Sequence, residues 1–293
     1  MKVLVTGGNG FIGRHLYERL KQEPAITEVT APSRRAMDIT NPCSVRNAME
    51  CFQPDVVFHL AANSLVKEND LAPFQVTATN VLGTHHLLQS CRPGTRFVFA
   101  SSATVYGDAC QFKWVREGEH LYPTSAYGAT KVSGEALVRA FESQGRVNAV
   151  ICRLVANVGD GATHGLLKAI VDKLNAPQEH IELLGDNPGS IKHYIHVSDT
   201  VEALVEFGLN GMITGAINIA PDDIMSVKDV ADVVMEVMGR QKPIVWLGKT
   251  STWAGDNKIV RVDNHAAKCL GWTPRYSSRQ AVAKVSIGVK AAA

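Results

Sequence analysis

The stretch Lys2-Val3-Leu4-Val5-Thr6-Gly7-Gly8-Asn9-Gly10-Phe11-Ile12-Gly13 decides the fold. Lys2 to Thr6 reads as a buried strand, and it runs through a glycine turn into a helix over Phe11 to Gln22. Phe11, Ile12, Leu16 and Leu20 share one face of that helix, and Pro24 stops it. Gly7, Gly10 and Gly13 form a Gly-x-x-Gly-x-x-Gly pattern, and Gly8 satisfies the weaker Gly-x-Gly-x-x-Gly as well. Between a strand and a helix, such glycines allow a tight turn and close backbone approach to a pyrophosphate. The free N–H groups and partial positive charge at the helix start, near Phe11, attract that anion.

Working outward, short apolar runs alternate with helical stretches. Strands are expected at Val29-Thr30-Ala31, Asp55 to Leu60, Arg96 to Ala100 and Asn148 to Val155. Helices are expected after the Asn41 cap with Pro42 at its first position, over Thr79 to Ser90 and over Ala126 to Ser143. This alternation predicts an α/β fold, a doubly wound parallel Rossmann sheet whose ligand lies at the carboxyl ends of the strands. Past residue 160 the rhythm loosens. A helix is expected over Ala162 to Asn175, a turn-rich loop over Gly185 to Gly189 and a short strand over His193 to Val197. Asp199 is expected to cap the next helix, with a strand at Ala216 to Ile219 and a helix at Ser226 to Met238 after it. The expected organisation is a dinucleotide-binding domain over 1–160 and a smaller C-terminal substrate-binding lobe over 161–293. Part of 191–220 returns to the first domain.

Composition narrows the function classes. Hydrophobic residues make up 45% and charged residues 20% of 293 positions, as in an ordinary soluble chain. A net charge of +2 gives no argument for nucleic acid or an anionic membrane. No apolar run approaches the ~20 residues of a membrane span. The six cysteines (43, 51, 91, 110, 152 and 269) include no Cys-x-x-Cys pair, and His85, His86, His164, His193 and His196 have no metal spacing. The expectation is a cytoplasmic protein with reduced thiols and no metal.

The chemistry is carried by Ser125-Ala126-Tyr127-Gly128-Ala129-Thr130-Lys131. Tyr127 and Lys131 are four apart, so a helix puts them on one face. A nearby ammonium and the positive nicotinamide ring of an oxidised cofactor favour the phenolate, which is expected to lower the Tyr127 pKa and make it an acid or base near neutral pH. Lys131 is also placed to bond a cofactor ribose. Ser102, at the end of the preceding strand, can bond a reacting oxygen, with Ser101 as its rival. The second strand ends in Pro32-Ser33-Arg34-Arg35 with no carboxylate. Ser33 and Arg34 can hold a 2′-phosphate, which favours NADP, or form a solvated basic loop. Asp38-Ile39 can border an adenine, or Asp38 can serve a turn or cap.

With these segments in view, the chain resembles the extended short-chain dehydrogenase/reductase family, within it the nucleotide-sugar epimerases, dehydratases and reductases. His59-Leu60-Ala61-Ala62 looks like the family's fourth-strand motif and Asn80-Val81-Leu82-Gly83-Thr84 like the helix after it. Tyr194 to Asp199 and Leu270-Gly271-Trp272-Thr273-Pro274 resemble later landmarks. The resemblance implies catalysis by Ser102, Tyr127 and Lys131. It implies NAD or NADP held by Gly7, Gly10, Phe11, Ile12, Gly13, Ser33, Arg34, Asp38, Ile39, Leu60, Ala61, Ala62 and Asn80, with Tyr127 and Lys131. It implies a nucleoside-diphosphate sugar touched by Ser102, Ala103, Thr104, Tyr127 and Asn157. It also implies a homodimer joined through the helices carrying Thr79 to Ser90 and Tyr127 to Ser143.

Subtype rests on few positions. The 4,6-dehydratases carry Asp-Glu directly after the catalytic hydroxyl, where this chain has Ala103-Thr104. Ser102 to Asp108 is similar to the 4-epimerase sequence. The family's usual asparagine is Ala156 here, with Asn157 one later, and its Arg-Asp pair is Lys192-His193. The arginine that grips the diphosphate is missing from Ser251 to Asp256, where Lys258 or Arg261 would replace it. The leading expectation is a nucleotide-sugar epimerase working through a 4-keto intermediate. The alternatives are an NADPH-dependent reductase of a nucleotide-linked 4-keto sugar and a non-catalytic cofactor-binding partner protein.

Overall fold

The computed structural model describes residues 1–64, 73–248 and 257–292. Its centre is a six-stranded sheet made of β1 (Lys2–Thr6), β2 (Glu28–Thr30), β3 (Val56–His59), β4 (Thr95–Ser102), β5 (Val147–Leu154) and, after a short strand β6 (Ile181–Leu183) that lies elsewhere, β7 (Gly215–Ile219). The spatial order is β7-β5-β4-β3-β1-β2, and all pairings are parallel. This is the doubly wound Rossmann sheet expected from the alternation. The chain leaves β1 for β2 on one side and returns to β3 on the other. The carboxyl ends of β1 and β3, Thr6 and His59, therefore flank the switch point where such sheets bind ligands.

The strands are apolar on both faces because helices cover both. Alternate side chains split between two cores. The helices that cover them are α1 (Phe11–Leu20), α2 (Pro42–Phe52), α3 (Gly83–Ser90), α4 (Ala126–Ser143) and, past α5 (Leu166–Asn175), α6 (Val197–Leu209). On one face, Val3, Val5, Phe58, Val98 and Val150 pack with Leu16 and Leu20 of α1 and with Leu204 and Phe207 of α6. On the other, Leu4, Val57, Phe97, Phe99 and Ile151 meet α2, α3 and α4. A separate core joins α5, α7 (Val227–Met238) and α8 (Ser278–Ala292) with β6. Among the described residues no helix is long and apolar enough to cross a membrane.

Local chemistry sets most of the ends. Asn41 caps α2 by accepting from Cys43 and Ser44 N–H groups at 3.0 and 3.2 Å. Three boundaries differ from expectation. Residues 78–82 form a π-helical turn ahead of α3 rather than its first turn. The helix α5 begins at Leu166 instead of Ala162, because Gly165 at φ +110° holds its entry outside helical geometry. The cap of α6 is His196, whose Nδ1 accepts from the Ser198 N–H at 3.2 Å. Asp199 instead sits buried in the first turn and accepts from the backbones of Arg275 and Tyr276. A carboxylate near a helix start can cap its own helix or hold another segment, and the sequence pattern does not distinguish the two uses.

Arg96 ties the sheet to the end of α6. Its guanidinium donates to the carbonyls of Gly208 at 3.1 Å and of Phe207 and Ile213 at 2.6 Å each. Removing it strands buried acceptors. Arg96→Met is expected to lower the unfolding free energy by about 3 kcal/mol, read from the urea midpoint.

Candidate active site

The glycine loop closes on itself and on β3. Gly7 has φ +72°, and its carbonyl accepts from the Gly10 N–H at 2.9 Å. A Cβ at Gly13 would lie 2.1 Å from the Gly7 oxygen, so only glycine lets α1 start this close to the turn. Gly10 is the N-cap and supplies no side-chain cap, which leaves the first N–H groups of α1, at Phe11, Ile12 and Gly13, without a capping side chain. A pyrophosphate fits that cradle by charge and by shape.

Behind the loop runs a buried polar relay that the sequence motifs do not announce. The Ala61 N–H donates to Thr6 Oγ1 at 3.2 Å, and Thr6 Oγ1 lies 2.7 Å from His59 Nδ1. His59 Nε2 lies 2.9 Å from Thr84 Oγ1, which donates to the Asn80 carbonyl at 2.6 Å. Thr84 has spent its proton, so Nε2 must donate and His59 is the neutral Nε2–H tautomer. Burial, aided by the Lys131 charge, pulls its pKa down to about 3. Asn80, in the π-helical turn, bonds both backbone groups of Asn63 and donates to Thr130 Oγ1 at 3.0 Å. One side chain thus holds the Leu60-Ala61-Ala62 edge of the crevice against α4.

The loop after β2 is less committed. Ser33 is exposed and its carbonyl takes the Ala36 and Met37 N–H groups, making a turn. Arg34, four-fifths exposed, lies 3.5 Å from Asp38. Asp38 chiefly serves a turn: its Oδ1 accepts from the Thr40 hydroxyl at 2.7 Å and N–H at 2.9 Å, which lowers its pKa. Ile39 is core, packed against Gly83.

The proposed reacting groups meet where β4 ends. Ser101 and Ser102 point to different partners. Ser101 donates to Glu135 at 2.5 Å and is sealed, while Ser102 remains half-buried. Ser102 Oγ accepts from Thr104 Oγ1 at 3.0 Å, and Ser102 also acts on Tyr127, favouring its ionised form. Ser125 caps α4 by accepting from the Gly128 N–H at 3.1 Å, which starts the helix just before Tyr127. Lys131 is buried, donates to the Ala100 carbonyl at 2.7 Å and lies 5.7 Å from the Tyr127 ring centroid. Lys131 does not by itself give the expected lowering of the Tyr127 pKa. Burial pushes it up to about 12, and the Ser102 hydrogen bond opposes that only in part. Burial also pulls Lys131 down to about 8.

The structure also holds a cleft of about 1600 Å³. It is lined by Ser64, Ala156, Asn157, Lys192 and Lys258 among others, and Ser102, Tyr127 and Lys131 lie outside its lining. The Asn157 amide is turned to the protein, accepting from Thr200 Oγ1 at 2.6 Å and donating to the Val155 carbonyl at 2.9 Å. Lys258 is exposed on the cleft wall. Arg261 is not in that wall and donates to the Gln111 carbonyl at 2.6 Å. Ala103 is buried, so no carboxylate follows Ser102. The segment Ser251 to Asp256 lies outside the described residues.

A sheet with its switch point at a glycine cradle, and a serine, tyrosine and lysine gathered beside it, defines a dinucleotide-dependent enzyme of the extended short-chain dehydrogenase/reductase group. The chain belongs to the NAD dependent epimerase/dehydratase family, which residues 3–220 match. It is 28% identical over 311 residues to a UDP-glucose 4-epimerase of Halalkalibacterium halodurans, covering 95% of this chain and 92% of the relative. It is 27% identical over 303 residues to a dTDP-6-deoxy-L-talose 4-dehydrogenase (NAD(P)(+)) of Kitasatospora kifunensis, covering 96% and 93%. The solved structure of a UDP-glucose 4-epimerase of Thermus thermophilus with NAD superposes with a TM-score of 0.89 over 100% of both chains at 23% identity, a likeness of fold.

The cradle makes a sharp prediction. Gly13→Ala places a methyl inside the Gly7 carbonyl contact. Dinucleotide affinity, measured by calorimetry, is expected to fall more than tenfold while circular dichroism keeps its helix and sheet signal.

Proposed function

We propose that this chain is an NAD(P)-dependent epimerase of a nucleoside-diphosphate sugar, acting through a transient 4-keto sugar. The observation that supports it most is the juxtaposition of Tyr127, Ser102 and Lys131 at the crevice edge, with Ala103-Thr104 in place of an acidic pair. The nicotinamide, when bound, supplies a reversible hydride acceptor. This chain's residues do the rest. Tyr127 takes the proton of a ring hydroxyl and returns it, Ser102 holds the reacting oxygen, and Lys131 bears on Tyr127 and on a cofactor ribose. Tyr127 rests protonated, with its pKa at about 12, so its work as a base depends on positive charge brought beside it. The relative acting on UDP-glucose makes a UDP-hexose the first substrate to try.

A reductase of a nucleotide-linked 4-keto sugar is the second reading. It draws on the exposed Ser33-Arg34-Arg35 loop, which carries no carboxylate toward a ribose and suits a 2′-phosphate. Lys258, rather than Arg261, is the cation placed for the substrate's diphosphate. Exposed Phe74 and Leu82, on the run leading into α3, suit a homodimer joined through α3 and α4. Six free cysteines suit the cytoplasm.

Tyr127→Phe is expected to lower kcat about a thousandfold with the fold and cofactor affinity kept; a variant with near-full activity overturns the proton-transfer role. Denaturing the purified protein and weighing the released nucleotide separates the two reactions. Near-stoichiometric NAD supports the epimerase, and an empty protein that exchanges NADP(H) supports the reductase.

A further inference from the structure

Tyr127, Lys131 and Glu135 follow at four-residue spacing on α4 and share one face. Each meets a different residue of the last three in β4. Ser102 acts on Tyr127 by lowering its pKa, Lys131 donates to the Ala100 carbonyl, and Glu135 accepts from Ser101. Arg153 of β5 clamps Glu135 from the far side, with Nε to Oε1 at 3.0 Å and Nη2 to Oε2 at 2.7 Å. Arg153 is held in turn by the Tyr106 hydroxyl at 2.8 Å and the Glu117 carbonyl at 2.9 Å. The Glu135 and Arg153 side chains are each 2% exposed.

A sealed ion pair is weak evidence for stability, because apolar residues of the same volume often serve as well. This one sits one helical turn from a lysine that is 4% exposed and whose ammonium donates to a neutral carbonyl. The groups facing that ammonium offer little charge. The Phe99 ring of β4 lies 5.0 Å away, His59 of β3 is neutral, and Tyr127 is protonated. Glu135 is the opposite charge that raises the lysine against the pull of burial. We propose that Glu135, fixed by Arg153 and Ser101, is a positioning residue that keeps Lys131 charged beside Tyr127. The proposal rests on the catalytic reading of Tyr127 and Lys131 given above.

The test follows Lys131 itself. Protein labelled with 13C at the lysine ε-carbon is titrated by NMR, with the Lys131 signal assigned from Lys131→Met. The double variant Glu135→Gln/Arg153→Met removes both charges and leaves neither stranded. Its Lys131 midpoint is expected to fall below that of the wild type, because Glu135 on α4 is the one of the two lost charges that raises it, and the basic limb of kcat/KM against pH moves with it. Glu135→Asp keeps Arg153 paired, so it is the variant to use if the double one does not fold. It withdraws the carboxylate, and a smaller fall in the same direction is expected. A folded variant with an unmoved midpoint overturns the proposal, because a purely structural pair would change the melting temperature alone. Tyr127→Phe, run in parallel, separates the outcomes: full activity there sinks the reaction assignment, while the NMR midpoint still judges Glu135.

Discussion

The register of α4 on β4 is the constraint on which the rest of this protein depends. Gly134 lets the helix lie so close that an added Cβ would stand 2.5 Å from the Phe99 ring. At that distance small rotations of the helix are blocked by hard contact, and polar partners choose the one remaining setting. Ala100 and Ser101 take Lys131 and Glu135 in turn, and Tyr127 stands one turn earlier beside Ser102. The hydroxyl, the amine and the carboxylate are therefore held by a strand in the middle of the sheet, the most rigid element available. A catalytic proton carrier on a loop would lack that definition.

The dinucleotide side is built by the same logic with neutral groups. Thr6, His59, Thr84 and Asn80 form a relay in which each proton has one destination. His59 is uncharged within it and so adds no cation beside the glycine loop, where the positive end of α1 attracts a phosphate. Asn80 passes the relay on to Thr130 and so to the helix carrying Tyr127. Cofactor edge and reaction edge are thus parts of one hydrogen-bonded framework, although their residues are far apart in sequence.

Electrostatics in this framework runs against the simple expectation from spacing. Four-residue separation places an ammonium near a phenol, but burial acts on both groups. It lifts Tyr127 to about 12 and lowers Lys131 to about 8, each toward its neutral form. Opposing that trend takes charge from outside the pair. Glu135 supplies part of it within the chain.

Much of this is legible in the letters. The glycine spacing, the alternation of apolar runs with amphipathic stretches, and Tyr127 four before Lys131 are local patterns, and local geometry alone turns them into a turn, a parallel sheet and a shared helix face. Ser102 and Ser101 stay rivals in the letters, because neighbouring strand residues differ only in which side of the sheet they serve. Asp199 reads as a cap yet holds Arg275 and Tyr276, since a carboxylate in a first helical turn suits either partner. Arg261 and Lys258 are equivalent cations until packing sends one to Gln111 and the other to the cleft wall. By itself the sequence determined the fold class, the glycine turn between β1 and α1 and the shared helix face of Tyr127 and Lys131, because these follow from periodicity and short-range spacing. Only the tertiary structure decided which hydroxyl is sealed against Glu135, which cation faces the cleft and which way the pKa values move, because burial and long-range partners set those.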